Sequence, residues 1–302
     1  MSGRHGLLVV DKPQGLTSHD VVAQARRLFG ERAVGHAGTL DPMATGVLIL
    51  LFGEACKLSA HLTGQDKVYQ ATVQFGVGTD SLDADGRPLE TRDLPDAFPE
   101  QAELERALEL ERSRSEQVPP AVSAIHDKGE RAHVRARRGE TVELAPRPVR
   151  VSELRLLRRE PRAVCLEVRA AKGYYVRALA RDLGLGLGAP AHLSALRRLA
   201  SGPFSLADAV PWPPAAPPPP LTPLAEAAQR ALPVTALSPE AVLFARQGKL
   251  LGKEQARASC LDQLSAWLSP EGELIALGLS LADGTHRVVR GFGSVSAASA
   301  HE

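Results

Sequence analysis

Residues Gly35–Lys57 read GHAGTLDPMATGVLILLFGEACK, and the fold is decided in this stretch. Its second half contains an uninterrupted apolar run, Val47–Phe52, which predicts buried structure rather than a loop. Its first half contains a single carboxylate, Asp41, among three glycines, and Pro42 restricts Asp41 to an extended backbone. Such a segment either holds a reactive acid in a fixed position against the core or forms an ordinary Asp-Pro turn. The residue types alone favour neither interpretation.

Strand and helix patterns surround this stretch in an irregular order. Before it, an apolar strand at Leu7–Val10 is followed by a helix at 19–29, which Thr17 or Ser18 caps and Gly30 ends. The other predicted strands are 69–75, 149–157, 164–168, 274–279 and 286–289, and the other predicted helices are 55–62, 100–116, 175–187, 192–199, 224–232 and 239–247. Because strands and helices do not alternate regularly, we expect an α+β fold with a mixed, largely antiparallel sheet flanked by helices.

A proline-rich segment divides the chain. Residues 211–223 read PWPPAAPPPPLTP, which is typical of a stiff, extended, solvent-facing connector. We therefore predict a large domain at 1–232, with an insertion at about 211–223, and a small β-rich domain at 233–302.

Composition limits the possible functions. The chain has 302 residues, a net charge of +1 and three widely spaced cysteines, a number and spacing that predict no disulfide framework and no zinc site. Residues 80–117 contain 12 acids and 5 bases, whereas residues 128–177 contain 14 bases and 6 acids. A basic surface of this kind favours a polyanionic ligand. Because no signal peptide or 18-residue apolar span occurs, we expect a cytoplasmic protein without membrane contact.

Three further residues could form a site with Asp41. Tyr69 begins a predicted strand, while Tyr175 and Arg177 stand at the start of a predicted helix. Aromatic faces and arginine are the groups with which proteins bind nucleobases. The alternatives are that Tyr69 is an ordinary core tyrosine and that Arg177 is a solvated helix charge.

Sequence motifs for metal and cofactor sites are incomplete. Ser81–Gly86 resembles part of a calcium loop, but the position of the closing glutamate is Arg92. Gly184–Gly188 lacks the dinucleotide-binding spacing, and there is no P-loop or HExxH. We therefore predict neither a metal nor a cofactor.

Five motifs together resemble those of the TruB family, the tRNA pseudouridine-55 synthases. They are DKPQGLTSHDVV, GHAGTLDPMATGVL, DKVY, GTDSLDADG and GYYVRALARDLG, and they follow the family's order from about Leu8 to Leu199. The resemblance implies a pseudouridine synthase fold with a PUA-like RNA-binding domain at 233–302. It also implies a monomeric enzyme that isomerises the T-loop uridine of tRNA without a cofactor.

The resemblance also implies roles for individual residues. Three of these residues would be catalytic. Asp41 would be the nucleophile, Tyr69 would stack on the flipped uracil and is a candidate for proton removal, and Arg177 would pair with Asp41 and keep its pKa low. The other implied substrate-binding residues are the pocket wall Tyr175 and Leu196, the inserting residue His36, and the RNA contacts Asp83 and Lys57.

The chain departs from the family pattern at two places. Residues 119–126 read PPAVSAIH where the family commonly has a Tyr and a Lys, and Cys56 replaces a usual Thr. The first departure removes the basis for an RNA contact by that segment. The alternative function is a non-catalytic tRNA-binding or tRNA-folding protein that retains the fold. Asp41, Tyr69 and Arg177 together argue against it, because binding alone needs no nucleophile.

Overall fold

The computed structural model describes residues 3–122 and 144–293, together with residues 126, 127, 130, 131, 135, 138 and 140 between them. The described helices are α1 (Ser18–Phe29), α2 (Ser59–Thr63), α3 (Gln101–Arg112), α4 (Val176–Gly186), α5 (Leu224–Ala231) and α6 (Pro239–Arg246). Short 3-10 helices occur at Gly53–Leu58, Leu206–Asp208 and Lys253–Gln255. Within the described ranges, no helix has the length and apolar character to cross a membrane.

The strands in the first half of the chain are β1 (Gly6–Lys12), β2 (Val34–Ala37), β3 (Thr45–Phe52), β4 (Lys67–Phe75), β5 (Val77–Thr79), β6 (Pro88–Thr91), β7 (Glu116–Gln117), β8 (His126–Asp127), β9 (Glu130–Arg131) and β10 (Arg147–Pro148). Those in the second half are β11 (Val151–Glu160), β12 (Ala163–Ala170), β13 (Ala191–Ser201), β14 (Phe204–Ser205), β15 (Val210–Pro211), β16 (Val234–Leu237), β17 (Ala256–Ala258), β18 (Leu264–Leu268), β19 (Leu274–Ser280) and β20 (His286–Gly291).

A nine-stranded sheet forms the centre of the molecule. Its order is β11-β12-β4-β13-β3-β1-β15, with β14 on β13 and β2 on β3. The pairs β13–β3 and β1–β15 are parallel, and the other pairs in this sheet are antiparallel. The prediction of an α+β fold with a mixed, largely antiparallel sheet is therefore confirmed.

The apolar run in β3 is continuous because both faces of this part of the sheet are buried. Leu48, Leu50 and Phe52 pack into a core that also contains apolar residues of α1, α3 and α4. Val47, Ile49 and Leu51 pack into a second core on the opposite face, with residues of α5 and of the C-terminal sheet. A strand covered on both faces needs apolar residues at every position, which explains the run seen in the sequence.

One predicted helix is a strand. We expected a helix at 192–199, but Ala191–Ser201 forms β13, which pairs with β4 along its length. The register shifts between Leu193 and Ala195, as in a β-bulge, so Leu193 and Leu196 are both buried although they are three residues apart. A three-residue apolar spacing also occurs in helices, and the bulge therefore produced the wrong prediction.

The proline-rich segment is exposed along most of its length, but it is anchored at three points. Val210–Pro211 pairs with β1, and Thr222 bridges to Leu7. Between them, Trp212 is 5% exposed, and its Nε1 donates to Gln24 Oε1 of α1 at 2.8 Å. The prediction of a solvent-facing connector is therefore wrong for Trp212, whose large apolar ring is better buried against α1.

The C-terminal part of the chain forms a five-stranded sheet in the order β17-β16-β18-β19-β20. Apolar side chains of β18 and β19, together with Phe292, complete the second core under β1 and β3. A β-rich C-terminal unit was predicted, and the described residues contain one that packs directly on the large sheet. Residues 294–302 of the predicted domain lie outside the described residues.

Candidate active site

The segment that carries Asp41 is held on both sides of the carboxylate. It connects β2 to β3, and the hydroxyl of Ser18 binds both backbone polar groups of Leu40, accepting from its N–H at 2.9 Å and donating to its carbonyl at 3.2 Å. On the other side, the carbonyl of Pro42 accepts from the Gly15 N–H at 2.8 Å. Asp41 therefore has a fixed backbone position, as the glycine and proline pattern predicts.

Arg177 forms an ion pair with Asp41. The guanidinium approaches through two nitrogens, with Nε 3.0 Å from Oδ2 and Nη2 3.4 Å from Oδ1. The Arg177 side chain is 8% exposed, whereas the Asp41 side chain is 35% exposed. The interpretation of Arg177 as a solvated helix charge is thus excluded, and the carboxylate remains open to a ligand.

Other groups bind Nη1 of Arg177 and share its Nη2 with Asp41. Nη1 donates to the Ser81 carbonyl at 2.9 Å and lies 3.5 Å from Asp83 Oδ2, and Nη2 donates to the Val122 carbonyl at 3.0 Å. Arg177 is in the first turn of α4, where the helix dipole disfavours a cation. The two carboxylates and the carbonyls compensate for this cost and determine the direction of the guanidinium.

The Asp83 side chain is 6% exposed and lies behind Arg177 as seen from Asp41. Its Oδ1 accepts from the Ser81 hydroxyl at 2.5 Å and from the Asp85 N–H at 3.2 Å, and its Oδ2 faces Arg177. The structure therefore brings Asp83 to the arginine rather than to an open surface.

The pKa of Asp41 is raised above the ordinary value of an aspartate. Burial is the largest cause, the Arg177 charge offsets part of the rise, and the negative charges of Asp83 and Asp85 add to it. We expected Arg177 to keep this pKa low, and that expectation is wrong in sign. The reason is that the loss of hydration around the carboxylate outweighs the attraction of a single shared arginine.

Apolar and aromatic side chains adjoin the ion pair. Tyr69 is partly buried against a core cluster that contains Leu196, together with Leu40 and Met43 from the Asp41 segment. Tyr175 immediately precedes α4. The pKa of its hydroxyl is raised, mainly by burial. The nearby charge of Arg177 lowers this pKa, and that of Asp41 raises it. Tyr175 therefore lies close to the pair of Asp41 and Arg177, and Tyr69 and Leu196 belong to the same apolar core as Leu40 and Met43.

His36 lies on β2, on the chain segment that leads to Asp41. Its ring meets that of His19 edge-on, with centroids 5.3 Å apart, and its Nδ1 is buried without a hydrogen-bond partner. Burial lowers the pKa of this imidazole, as do the charges of His19 and Arg198. The structure thus supports His36 as a neutral group beside the site.

Lys57 lies elsewhere, at the contact with the C-terminal sheet. Its ammonium is 2.5 Å from Glu54 Oε2, donates to the Gly291 carbonyl at 3.0 Å and lies 5.4 Å from the centre of the Phe292 ring. Among the predicted site residues, Lys57 is therefore the one that the structure does not bring toward Asp41.

Several residues that support the site had no role in the sequence analysis. Lys12 is fully buried, and its ammonium donates to the carbonyls of Pro13, Leu16 and Pro42. Gln117 is 2% exposed and binds both the N–H and the carbonyl of Tyr175 through its amide. A lysine at the end of the buried strand β1 was the available signal for Lys12. Gln117 gives no signal in the sequence.

The chemistry open to this site is that of a partly exposed carboxylate beside a buried arginine and a tyrosine. Such a carboxylate can act as a nucleophile or stabilise a developing cation. In the described ranges, no three His, Cys, Asp or Glu side chains are grouped as they would be around a metal ion. Of the two positions where the chain lacks the family's Tyr and Lys, Val122 is described and its carbonyl accepts from Arg177, and His126 lies in β8. Residues 123–125 between them lie outside the described residues.

Comparisons with known proteins agree with this geometry. A family model described as "TruB family pseudouridylate synthase (N terminal domain)" matches residues 26–176, and one described as "tRNA pseudouridylate synthase B C-terminal domain" matches residues 177–212. The chain is 43% identical to tRNA pseudouridine synthase B of Mycobacterium sp. (strain KMS), over 93% of each chain. It is 48% identical to the protein of the same name from Parasynechococcus marenigrum (strain WH8102), over 74% of this chain and 77% of that one.

Solved structures share the fold. The chain superimposes with a TM-score of 0.71 on a chain of an H/ACA RNP bound to a substrate RNA containing 2'-deoxyuridine, covering 96% of this chain and 86% of that one at 24% identity. It superimposes equally well, with a TM-score of 0.71 and 24% identity, on a chain of a Cbf5-Nop10-Gar1 complex, covering 96% of this chain and 84% of that one. The pseudouridine synthase fold expected from the sequence is therefore confirmed.

Proposed function

Because the chain belongs to the TruB family of pseudouridylate synthases, we propose that it converts the T-loop uridine at position 55 of tRNA into pseudouridine. The observation that carries the proposal is the pair formed by Asp41 and Arg177. A buried arginine orients a carboxylate that is 35% exposed, close to Tyr175. A protein that only bound or folded tRNA would have no use for a carboxylate whose ionisation is made costly by burial.

The reaction is an isomerisation, so its atoms balance without a co-reactant. The bond between N1 of the base and C1' of the ribose breaks, the base turns, and C5 forms a bond to C1'. The proton on C5 is then lost, and N1 gains a proton. No electrons are transferred and no water is consumed, which is why we propose a reaction without a cofactor or metal.

Asp41 acts as the nucleophile in this proposal. Its backbone is fixed by Ser18 and Gly15, so the carboxylate meets the substrate without a large loss of entropy. Arg177 orients the carboxylate and favours its ionised form against the opposing effect of burial. The uridine must leave the base stack of the T-loop, which costs a few kcal/mol. Tyr69, Tyr175 and Leu196 receive the base, and His36 fills the space that it leaves.

Two predicted substrate contacts acquire more specific roles. We infer that Asp83 acts through Arg177, since its carboxylate is 6% exposed and faces the guanidinium. Lys57 remains a candidate RNA contact only where RNA passes the C-terminal sheet, because its ammonium binds the Gly291 carbonyl. The unit at 233–302 acts as the PUA-like RNA-binding domain in this proposal.

The experiment that tests the proposed function uses the full chain and an in vitro transcribed tRNA. Tritium on C5 of the uridines is released to water when pseudouridine forms, and reverse-transcription mapping identifies the position. The wild type is expected to release one tritium equivalent per tRNA, from position 55.

The variant Asp41→Asn should bind the tRNA with a similar Kd and release none. Asp85→Asn, an exposed acid nearby, is the matched control. Wild-type release by Asp41→Asn would exclude this residue as the nucleophile. A wild type that binds tRNA but releases no tritium would support the non-catalytic alternative.

A further inference from the structure

Arg198 is a buried arginine next to the Asp41 segment. It lies on β13 and is 1% exposed. Its guanidinium donates from Nε to the Val47 carbonyl at 2.7 Å, from Nη1 to the Thr39 carbonyl at 3.3 Å and from Nη2 to the Gly38 carbonyl at 2.9 Å. One side chain therefore bonds the backbone on both sides of Asp41.

The charge of Arg198 is not used in an ion pair. In the part of the chain that the structure describes, no carboxylate oxygen lies within 4 Å of its nitrogens. Two other buried cations are near it, Lys12 and Lys67. The pKa of each is lowered to about 8, mainly by burial and in part by the charge of Arg198. Burying a cation without a counter-charge is costly. The carbonyls that Arg198 binds must therefore be the reason for its presence.

The surrounding backbone is shaped to accept this arginine. Gly38 has φ +88°, and a Cβ there would lie 3.5 Å from Arg198 Nη1. Gly46 has φ +100°, and a Cβ there would lie 2.2 Å from the Arg198 carbonyl oxygen. Two of the glycines in the Asp41 stretch thus allow close contact with one residue of β13.

Arg198 also links the Asp41 segment to the strand that carries Tyr69. On one side of β13 it is the register partner of Gly46, and on the other side it is the register partner of Tyr69. The parallel pairing of β13 with β3 consists of only the pairs 197–45 and 198–46. So short a ladder leaves the relative position of the two strands weakly determined, and the bond from Arg198 Nε to the Val47 carbonyl of β3 reinforces it. The bonds to Thr39 and Gly38 attach the segment before Asp41 to β13.

We propose that Arg198 is a positioning residue that holds the backbone on both sides of Asp41 and thereby sets the distance between the carboxylate and the base held at Tyr69. This inference rests on the proposed function. It assigns Arg198 no contact with the substrate. The planar fork of an arginine can bind three carbonyls in fixed directions, whereas a lysine has a single nitrogen for the same acceptors. Charge alone should therefore not replace Arg198.

The test compares Arg198→Met, Arg198→Lys and the wild type in single-turnover tritium release at saturating enzyme. The Kd for the same tRNA and the thermal unfolding temperature are measured in parallel. We expect Arg198→Met to lower the rate by about 100-fold with the Kd unchanged, because small misplacements of a reacting group have effects of this size. Arg198→Lys should recover only part of the rate. The pH at which the rate falls should be that of the wild type, because Arg177 and its contact with Asp41 are intact.

Arg230→Met is the matched control for the loss of a structural arginine. Arg230 donates to the Pro203 carbonyl at 3.0 Å and pairs with Asp208 at 2.7 Å, outside the site. It should lose thermal stability and keep the wild-type rate. A wild-type rate in Arg198→Lys would overturn the inference, as would an equal rate loss in Arg230→Met. If Arg198→Met does not fold, Arg198→Lys decides alone. A wild type without tritium release would instead refute the proposed function.

Discussion

At the scale of single residues, the properties of Asp41 depend on the groups around it. Burial raises the pKa of its carboxyl, and the positive charge of Arg177 partly offsets this rise by stabilising the carboxylate. An ordinary exposed aspartate, with a pKa of about 3.9, is fully ionised in the weakly acidic range. The pKa of Asp41 is raised above this, so a reaction that needs the carboxylate should lose it at a higher pH than an ordinary aspartate would.

The first prediction concerns this titration. The folded-state pKa is raised, so protonated Asp41 accumulates as the pH falls, and the single-turnover rate should decline at a higher pH than an ordinary aspartate would give. Arg177→Met removes the largest opposing charge and should move the decline to higher pH still. Arg177→Lys keeps a positive charge and should lower the rate with a smaller displacement of the decline. The measurement is the rate as a function of pH for the three proteins. If the pH profiles of the wild type and Arg177→Met superimpose, the decline in rate does not report the titration of Asp41 beside Arg177.

The second prediction concerns the support behind Arg177. Asp83→Asn removes the charge that faces Nη1, so the guanidinium should turn away from its direction toward Asp41. We expect the single-turnover rate to fall by about 10-fold, with the Kd for tRNA unchanged. Asp85→Asn is the control, since Asp85 is exposed and its N–H, rather than its carboxylate, contacts Asp83. A weaker Kd with an unchanged rate would identify Asp83 as an RNA contact instead.

The residues proposed to face the substrate were the ones that the sequence could predict. Asp41 and Arg177 belong to motifs of specific residue types, and the structure brings them into contact. Lys12, Ser18 and Arg198 act instead on backbone carbonyls and N–H groups. Every residue has a backbone carbonyl, and almost every residue has an N–H. The sequence therefore does not show which backbone groups these three side chains bind. Supporting residues of this kind become visible only in three dimensions.

At the scale of elements, the strand β13 shows where periodicity fails. Its two register shifts, one on each side of the Leu196–Arg198 segment, disturb the alternation by which a strand is recognised. Between the two shifts the pairing is regular, so consecutive side chains point to opposite faces of the sheet. Arg197 pairs with Asp11 at 2.6 Å, and Arg198 binds the Asp41 segment. A bulged strand beside a functional site is a recurrent arrangement, and here it is also the reason for the wrong helix prediction.

The third prediction tests the contact between β13 and β3. In Gly46→Ala the new Cβ would meet the Arg198 backbone at 2.2 Å, at a residue with φ +100°. We expect destabilisation by about 3 kcal/mol or more, from the positive φ and the steric overlap together, and a reduced single-turnover rate. Gly30→Ala is the control, because Gly30 has φ +62° with no atom within 4 Å of the added Cβ. The free energy of unfolding of Gly30→Ala should fall by about 1 kcal/mol, and its single-turnover rate should equal that of the wild type. Equal unfolding midpoints in urea for the two variants would refute the steric argument.

At the scale of the whole molecule, β1 and β3 explain both the success and the limit of the sequence analysis. Their unbroken apolar character predicts burial, and both strands are buried on two faces. Which elements cover each face could not be predicted, because an apolar run contains no information on its partner. One cover consists of α1, α3 and α4, and the other consists of α5 and the C-terminal sheet. The proposed RNA-binding unit is therefore also part of the core of the proposed catalytic unit.

The last prediction follows from this shared core. A chain that ends at residue 232 loses Ala266, Leu268, Leu274, Leu277 and Phe292 from the second core. The face of the sheet that bears Leu7, Ile49 and Leu51 would then meet water, and exposed apolar patches of this kind promote association. We expect the truncated chain to aggregate or to unfold at a lower temperature, as judged by gel filtration and calorimetry. Phe292→Ala is a milder change within the full chain. It should lower the free energy of unfolding by about 3 kcal/mol and leave the affinity for tRNA unchanged. A truncated chain that is monodisperse, with the unfolding temperature of the wild type and weaker tRNA binding alone, would show that the C-terminal sheet is an independent binding module.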